Sequence, residues 1–125
     1  PREFAEAIYA EEYWDSISGD SLEVLSVPVL REVFDTGVNC SPARAVRFLQ
    51  RSLNALTDHV LVADGVSGPK TMTALKAYLT KRDESILVRT LNCLQGAYYV
   101  KLTERREKDK AFIYGWMSNR VGDLC

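Results

Sequence analysis

The chain has 125 residues, 46% of them hydrophobic and 26% charged, with 16 basic against 17 acidic side chains and a formal net charge of -1. That size fits one domain with one modest core. The balanced charge argues against broad attraction to nucleic acid or to an anionic membrane surface, and no apolar run approaches the length that spans a bilayer.

Read in order, every long segment has a helical pattern. "PREFAEAIYAEEYWD" is rich in helix formers and sets Phe4, Ala7 and Ile8 near a helical period. "SGDS" is expected to break it. Ser26 then offers an N-cap and Pro28 a first-turn residue, since a serine hydroxyl satisfies a free N–H and proline lacks one. Leu30, Val33, Phe34, Gly37 and Val38 follow as an apolar stripe. Ser41 and Pro42 repeat the cap and first-turn proline, and Val46, Leu49, Leu53 and Leu56 mark the inner face of the next helix.

"HVLVADG" is the one candidate β element, either half of a short hairpin or an ordered loop. Met72, Leu75 and Leu79 carry a helix to about Thr80, and "KRDES" interrupts it. Ser85 is the expected cap of a long helix bearing Leu87, Leu91, Leu94, Tyr98 and Leu102. "TERREKDK" ends or bends that helix, and "AFIYGWMSNRV" forms a last one, weakened by Gly115. The expected architecture is a compact all-α domain of five or six helices with little or no strand. Its core is drawn from Leu30, Phe34, Leu49, Leu53, Leu75, Leu91 and Leu94.

Cys40, Cys93 and Cys125 are an odd set with no C-x-x-C pair, which reads as reduced thiols rather than a disulfide framework. A Cys40–His59 nucleophile is conceivable because Cys40 precedes a helix start, but neither residue has a local signature. One His and scattered Cys do not make a metal site, and no cofactor motif is present. No charged start, apolar stretch and cleavage site opens the chain, so no signal peptide is read and synthesis is expected in the cytoplasm.

The glycine-spaced stretch "VADGVSGPKTMTAL" raises the question of a phosphate loop. A phosphate loop needs G-x-x-x-x-G-K-[ST] after a buried strand. Here the spacing is shorter, the strand signal is poor, and Pro69 removes a donor. Asp64 and Gly65 read instead as a turn, Gly68 and Pro69 as a helix start, and Thr71 as a side chain bonding backbone groups left free there.

The same loop, preceded by "FLQRSLN", resembles the "LQ…LN…DG-x-x-G-x-x-T-x-x-A-L" pattern of peptidoglycan-binding domains. "EAIYAEEYWD", "VFDTGVNCSPARAVRFLQRSLN" and "GWMSNRV" occur in the order found in glycoside hydrolase family 108, the lysozyme-like N-acetylmuramidases of bacteria and phages, also described as secretion-activator-like proteins. The resemblance covers about Glu6 to Val121. It implies a lysozyme-like helical domain in which residues 1–40 are the remainder of a muramidase-like lobe and 41–125 a peptidoglycan-binding-like region. Its implied partner is peptidoglycan, its implied place of action the cell wall, and its implied reaction hydrolysis of the glycan bond after N-acetylmuramic acid.

The family's general acid lies in an E-G-G-Y-like segment ahead of a Gly-rich stretch, and this sequence has neither. Glu3, Glu6, Glu11 and Glu12 do not match that position, so no catalytic residue is assigned in this chain. The expectation is a fragment of a longer enzyme or a relative without its catalytic half, and a start on Pro1 favours the fragment. The chain as given is expected not to be lytic, and an apolar surface left by the absent segment is expected to promote self-association or partner binding.

Muramidase chemistry needs a carboxylic acid to protonate the leaving oxygen and a second polar group facing it. Arg31, Asp35 and Asn39, spaced by four, share one helix face. Two readings stay open: Asp35 and Asn39 face a glycan cleft together with Tyr13, or Arg31 and Asp35 are a surface pair and Asn39 ends the helix. Tyr13 and Trp14 are cleft candidates, since aromatic rings stack on sugars, with core packing as the alternative. Trp116 and Tyr114 are read as core. Arg44, Arg47 and Arg51 share a face that is either solvated or turned toward anionic wall polymers.

Overall fold

Helix starts are where the sequence is most explicit, and the computed structural model, which describes residues 10–106 and 110–121, shows why. Residues 10–16 are helical (α1). They are followed by α2 (Gly19–Leu25), α3 (Val27–Cys40), α4 (Pro42–Leu56), α5 (Pro69–Lys81), α6 (Glu84–Thr103) and α7 (Lys110–Trp116), and then by a π-helical turn over Met117–Val121. No strand occurs among the described residues, so the fold is all-α. Phe4, Ala7, Ile8, Glu3, Glu6 and Cys125 lie outside the described residues.

The two Ser-Pro starts form as read. The Ser26 hydroxyl accepts from the Val29 N–H and the Ser41 hydroxyl from the Arg44 N–H, both at 3.2 Å. Each occupies one of the donors that a helix start leaves free. Other boundaries differ. The break expected at "SGDS" falls at the start of that string and is shorter than read: the turn is Ile17 and Ser18, and Gly19, Asp20 and Ser21 already begin α2. Asp20 suits that first turn, because the positive end of the helix dipole favours a carboxylate. Hence the described helices number seven, more than the pattern suggested. The cap of α6 is Asp83 rather than Ser85: the Asp83 carboxylate accepts from the Ser85 N–H at 2.8 Å. "HVLVADG" is loop, not strand.

α3 is the central helix, packed against both α4 and α6. α3 and α6 run in the same direction. Ser26 meets Glu84 at their starts (2.8 Å), and ten residues further along α3 Thr36 meets Gln95 (3.0 Å). This packing turns Val29, Val33, Thr36, Gly37 and Cys40 inward and leaves Phe34 37% and Val38 66% exposed. The apolar stripe expected on α3 was therefore rotated. Buried Glu32 and Thr36 share the inner face, and a reading that tracks only hydrophobic residues passes over them.

Leu49, Leu53, Leu75 and Leu91 are buried as expected, with Ile17, Leu22 and Leu87 alongside, while Leu30 and Leu94 pack against this cluster from its edge. Each fully buried aliphatic side chain contributes about 1.5–3 kcal/mol. Phe34 does not belong to this core. A second cluster joins Cys40, Tyr99 and Trp116 and fastens α7 to α6. Trp116 is core as read, but Tyr114 is 78% exposed, on the outer side of the short α7.

Candidate functional site

Tyr13 and Trp14 stand at the C-terminal part of α1 and meet α3 through Phe34. The Tyr13 ring lies edge-on to Phe34, with centroids 4.9 Å apart, and Trp14 approaches the same ring at 6.5 Å. The Tyr13 hydroxyl donates to the Phe34 backbone carbonyl and rests against Gly37, where a Cβ would collide with it. Trp14 is fixed in the same way. Its indole lies over Gly19, and its Nε1–H donates to the Asp20 carboxylate at 2.8 Å.

Burial, reinforced by the negative charge of Asp35, pushes the Tyr13 pKa up to about 12. Asp35 is thus close enough to Tyr13 to act on it electrostatically. The structure brings Tyr13, Trp14 and Asp35 to one face, with Phe34 as a third ring that the sequence reading had placed in the core. Asn39 is exposed one turn further along α3. It does not end the helix, since the backbone bond closing α3 runs from the Ser41 N–H to the Gly37 carbonyl at 3.0 Å. Glu11 and Glu12 are exposed on α1.

The loop over residues 57–68 is organised from α4. Gln50 is 1% exposed, and its amide Nε2 donates to the Asp64 carboxylate (3.2 Å), the Val66 carbonyl (3.1 Å) and the Thr71 hydroxyl (3.2 Å). Its Oε1 accepts from the Gly65 N–H at 3.0 Å. One turn later Asn54 takes both backbone groups of Leu61, donating to its carbonyl at 2.8 Å and accepting from its N–H at 2.7 Å. The two amides lie four residues apart and so on one helix face. They are the Gln and Asn of "LQRSLN", and their spacing follows from the need to grip this loop at two points.

Asp64 and Gly65 form the expected turn, with Gly65 at φ 78° and the Val66 N–H bonded to the Asp64 carboxylate at 2.9 Å. Those hydrogen bonds, from Val66 first and Gln50 second, hold the Asp64 pKa below the usual carboxylate value. Gly68 and Pro69 start α5 as read. Thr71 does not bond free backbone groups there: it is buried, and its hydroxyl serves Gln50. Ser67 ties the loop to the α1–α2 joint through the Ser18 hydroxyl at 2.6 Å.

A groove of about 580 Å³ opens where α4 and α5 end, lined among others by Leu56, Asp58, His59, Tyr78, Lys81 and Arg82. Sequence reading missed it, because its residues are far apart in the chain and belong to no motif. Cys40 and His59 are not a pair. They flank opposite ends of α4, whose length is roughly 22 Å at 1.5 Å per residue. Burial also pushes the Cys40 thiol pKa up, the reverse of nucleophile activation. Arg44 is turned inward: it donates to the Cys40 carbonyl at 3.1 Å and lies 4.3 Å over the Tyr98 ring. Arg51 is exposed and Arg47 half-buried. No group of three or more metal-ligating side chains occurs among the described residues, and no described helix is long and apolar enough to cross a membrane.

Against this geometry, two family models match the chain. Residues 44–121 match the family described as Predicted Peptidoglycan domain, and residues 1–40 match Glycosyl hydrolase 108. Among curated proteins none matches. The two matched segments adjoin at the Ser41–Ala43 joint, where the short turn between α3 and α4 lies.

Proposed function

The chain belongs to the predicted peptidoglycan domain family, with a glycosyl hydrolase 108 segment ahead of it, and from that premise we propose that it binds cell-wall glycan without cleaving it on its own. It is a peptidoglycan-directed, lysozyme-like protein or a fragment of one, and its action is at the cell wall. The observation that carries the reading is the pair of adjoining matches, in the order a muramidase with a C-terminal binding region requires. Within it, residues 1–40 serve as the muramidase-like lobe and 41–125 as the binding region.

The glycan face we assign is Tyr13, Trp14, Asp35 and Asn39, with Phe34 added. Ring edges and faces suit the apolar side of a sugar, and the carboxylate and amide suit its hydroxyls. Cleavage is a different matter. A general acid needs a carboxyl whose pKa is raised toward neutrality. Asp64 and Asp83, the carboxylates that hydrogen bonding perturbs most clearly, are both pushed down. Glu32 is buried on the inner face of α3, 5% exposed, away from the surface a glycan chain would meet.

Two assays on the purified chain test the proposal: retention on insoluble peptidoglycan and clearing of a cell-wall suspension. Retention without clearing is the expected result, and Asp35→Ala with Tyr13→Phe is expected to weaken retention while leaving the fold intact. No retention above a control protein sinks the binding reading, and clearing by this chain alone sinks the non-lytic one. We also propose that Val24 and Val38, exposed on α2 and α3, support self-association. A single monomeric species in sedimentation across concentrations would remove that idea.

A further inference from the structure

The groove between the ends of α4 and α5 has a chemistry unlike that of the Tyr13 face. The two helices run in the same direction. Gln50 bonds Thr71 near the start of the contact, and Leu56 and Thr57 share the groove with Ala77 and Tyr78 at its end. Both helices therefore deliver their C-terminal ends, the negative ends of their dipoles, to one place. The inner part of the groove is small and apolar, with Leu56 and Ala77 half-buried and Tyr78 2% exposed. The Tyr78 hydroxyl is already committed to the Asp83 carbonyl at 2.6 Å. Its outer part is polar, with three ionic side chains, Asp58, Lys81 and Arg82, and His59, all of them exposed. Among the described residues the Lys81 and Arg82 side chains form no hydrogen bond or ion pair.

This combination narrows the ligand. A neutral sugar stacks on broad, accessible apolar ring faces, and the Tyr78 ring here is buried, which leaves only the small, polar imidazole of His59 at the rim. A polyanion meets two cations, but it also meets Asp58 and two helix C-termini that repel it. A short peptide carrying both carboxylate and ammonium groups, with small side chains, satisfies every part. Its carboxylates pair with Lys81 and Arg82, its ammonium with Asp58 and the helix ends, and its methyl groups with Leu56 and Ala77. In peptidoglycan the stem peptide has that composition: alanines, a free glutamate carboxylate and a diamino acid.

We infer that the α4–α5 groove is a stem-peptide subsite, separate from the face that takes the glycan. The inference rests on the peptidoglycan reading above and adds which part of the polymer this region takes.

The test uses the whole chain, isotopically labelled, and three soluble probes: a free stem tetrapeptide with a diamino acid, the same peptide on its disaccharide, and the disaccharide without peptide. Both peptide-bearing probes are expected to shift the amide resonances of residues 57–59 and 81–82, and the bare disaccharide to leave them in place. The charge reversal Lys81→Glu with Arg82→Glu is expected to lower affinity for the peptide probes at least about ten-fold, in line with the loss of charge-assisted hydrogen bonds. Retention on glycan strands stripped of peptide should not change. Resonance mapping on the unaltered chain decides the matter even if the reversed variant is unstable. Peptide probes that leave residues 57–59 and 81–82 unshifted overturn the inference. So does equal affinity for intact and stripped glycan, in which case the peptidoglycan reading still stands. Failure to bind either polymer overturns both.

Discussion

On the α1–α3 side, rings lie against backbone that carries no Cβ: Tyr13 on Gly37 and Trp14 on Gly19. On the α4 side, residues 57–68 have no such anchor and are held by the amides of Gln50 and Asn54. The first region is ordered by shape and the second by hydrogen bonds. Shape tolerates the loss of a polar atom and not the gain of a methyl group. A hydrogen-bonded loop has the reverse tolerance. If the glycan face lies in the first region and the peptide groove beside the second, the two can be disabled separately.

The largest effect is expected from removing the loop's main anchor. Gln50→Ala strands the buried Thr71 hydroxyl and the Gly65 N–H, and each unsatisfied group costs roughly 1–3 kcal/mol. We expect a loss of about 3 kcal/mol in urea denaturation, on the same scale. Peptide-probe binding should weaken while the Tyr13–Trp14 near-ultraviolet signal persists in the folded fraction. A loss well under 1 kcal/mol would mean that the loop supports itself, and the contrast between the regions would collapse.

Next in size is the opposite insult. A methyl at Gly37 meets the Tyr13 hydroxyl, and overpacking of this kind costs typically about 1–3 kcal/mol. Gly37→Ala should therefore destabilise by about 2 kcal/mol on that scale. Because the nearest atom is the hydroxyl oxygen, adding Tyr13→Phe should recover part of the loss. A double-mutant cycle measures the coupling. Strict additivity would show that the ring is not held by close approach.

Within the loop itself the two glycines separate. Gly65 has φ 78°, and a Cβ there would sit 2.7 Å from the Ala43 carbonyl oxygen, so Gly65→Ala should cost about 1–2 kcal/mol. Gly68 has φ -149° and open space around its Cβ position, so Gly68→Ala should be nearly silent in thermal denaturation. Equal losses at both positions would point to a general demand for flexibility rather than to one left-handed residue.

These differences track what sequence can and cannot announce. The serine caps at Ser26 and Ser41, the prolines behind them and the glycine at 65 are local devices, and they were legible because each acts on its immediate neighbours. The rotation of α3 was not, because it depends on how α4 and α6 share that helix. Polar Thr36 is inside only because Gln95 waits for it across the interface. The Tyr13 face was half legible. The aromatic and acidic residues stood out by type, yet Phe34 joined them only through that rotation. The α4–α5 groove had no sequence signal, since parallel packing of two helices joined by a loop is what brings Asp58 and His59 to Lys81 and Arg82. For Gln50 and Asn54 the spacing of four was visible, but its object, loop backbone and side chains lying seven residues beyond Asn54 and 14–16 beyond Gln50, was not.

A further pair of effects is expected at the two ends of the pH scale, and it divides the same two regions. Asp64 has a folded-state pKa below its ordinary value, because the Val66 N–H and Gln50 favour its charged form. Its contribution to stability is therefore present above the unfolded value, about 3.9, and is lost as pH falls through the folded one. Tyr13 has its pKa raised to about 12 by burial and by Asp35, which favour the neutral form. Its contribution is present below the unfolded value, about 10, and is lost as pH rises through about 12. The acid limb should thus belong to the loop and the alkaline limb to the ring face. Urea midpoints measured across pH should show Asp64→Asn flattening the acid limb and leaving the alkaline one, and Tyr13→Phe doing the converse. Tyr78 is shifted in the same direction as Tyr13, so the difference between the unaltered chain and Tyr13→Phe, rather than the total tyrosinate signal, isolates the ring in question. If Asp64→Asn altered both limbs, the loop and the ring face would have to titrate as one unit. The Ser18–Ser67 hydrogen bond, which joins the loop to the helix pair carrying Trp14, would then be the first contact to remove.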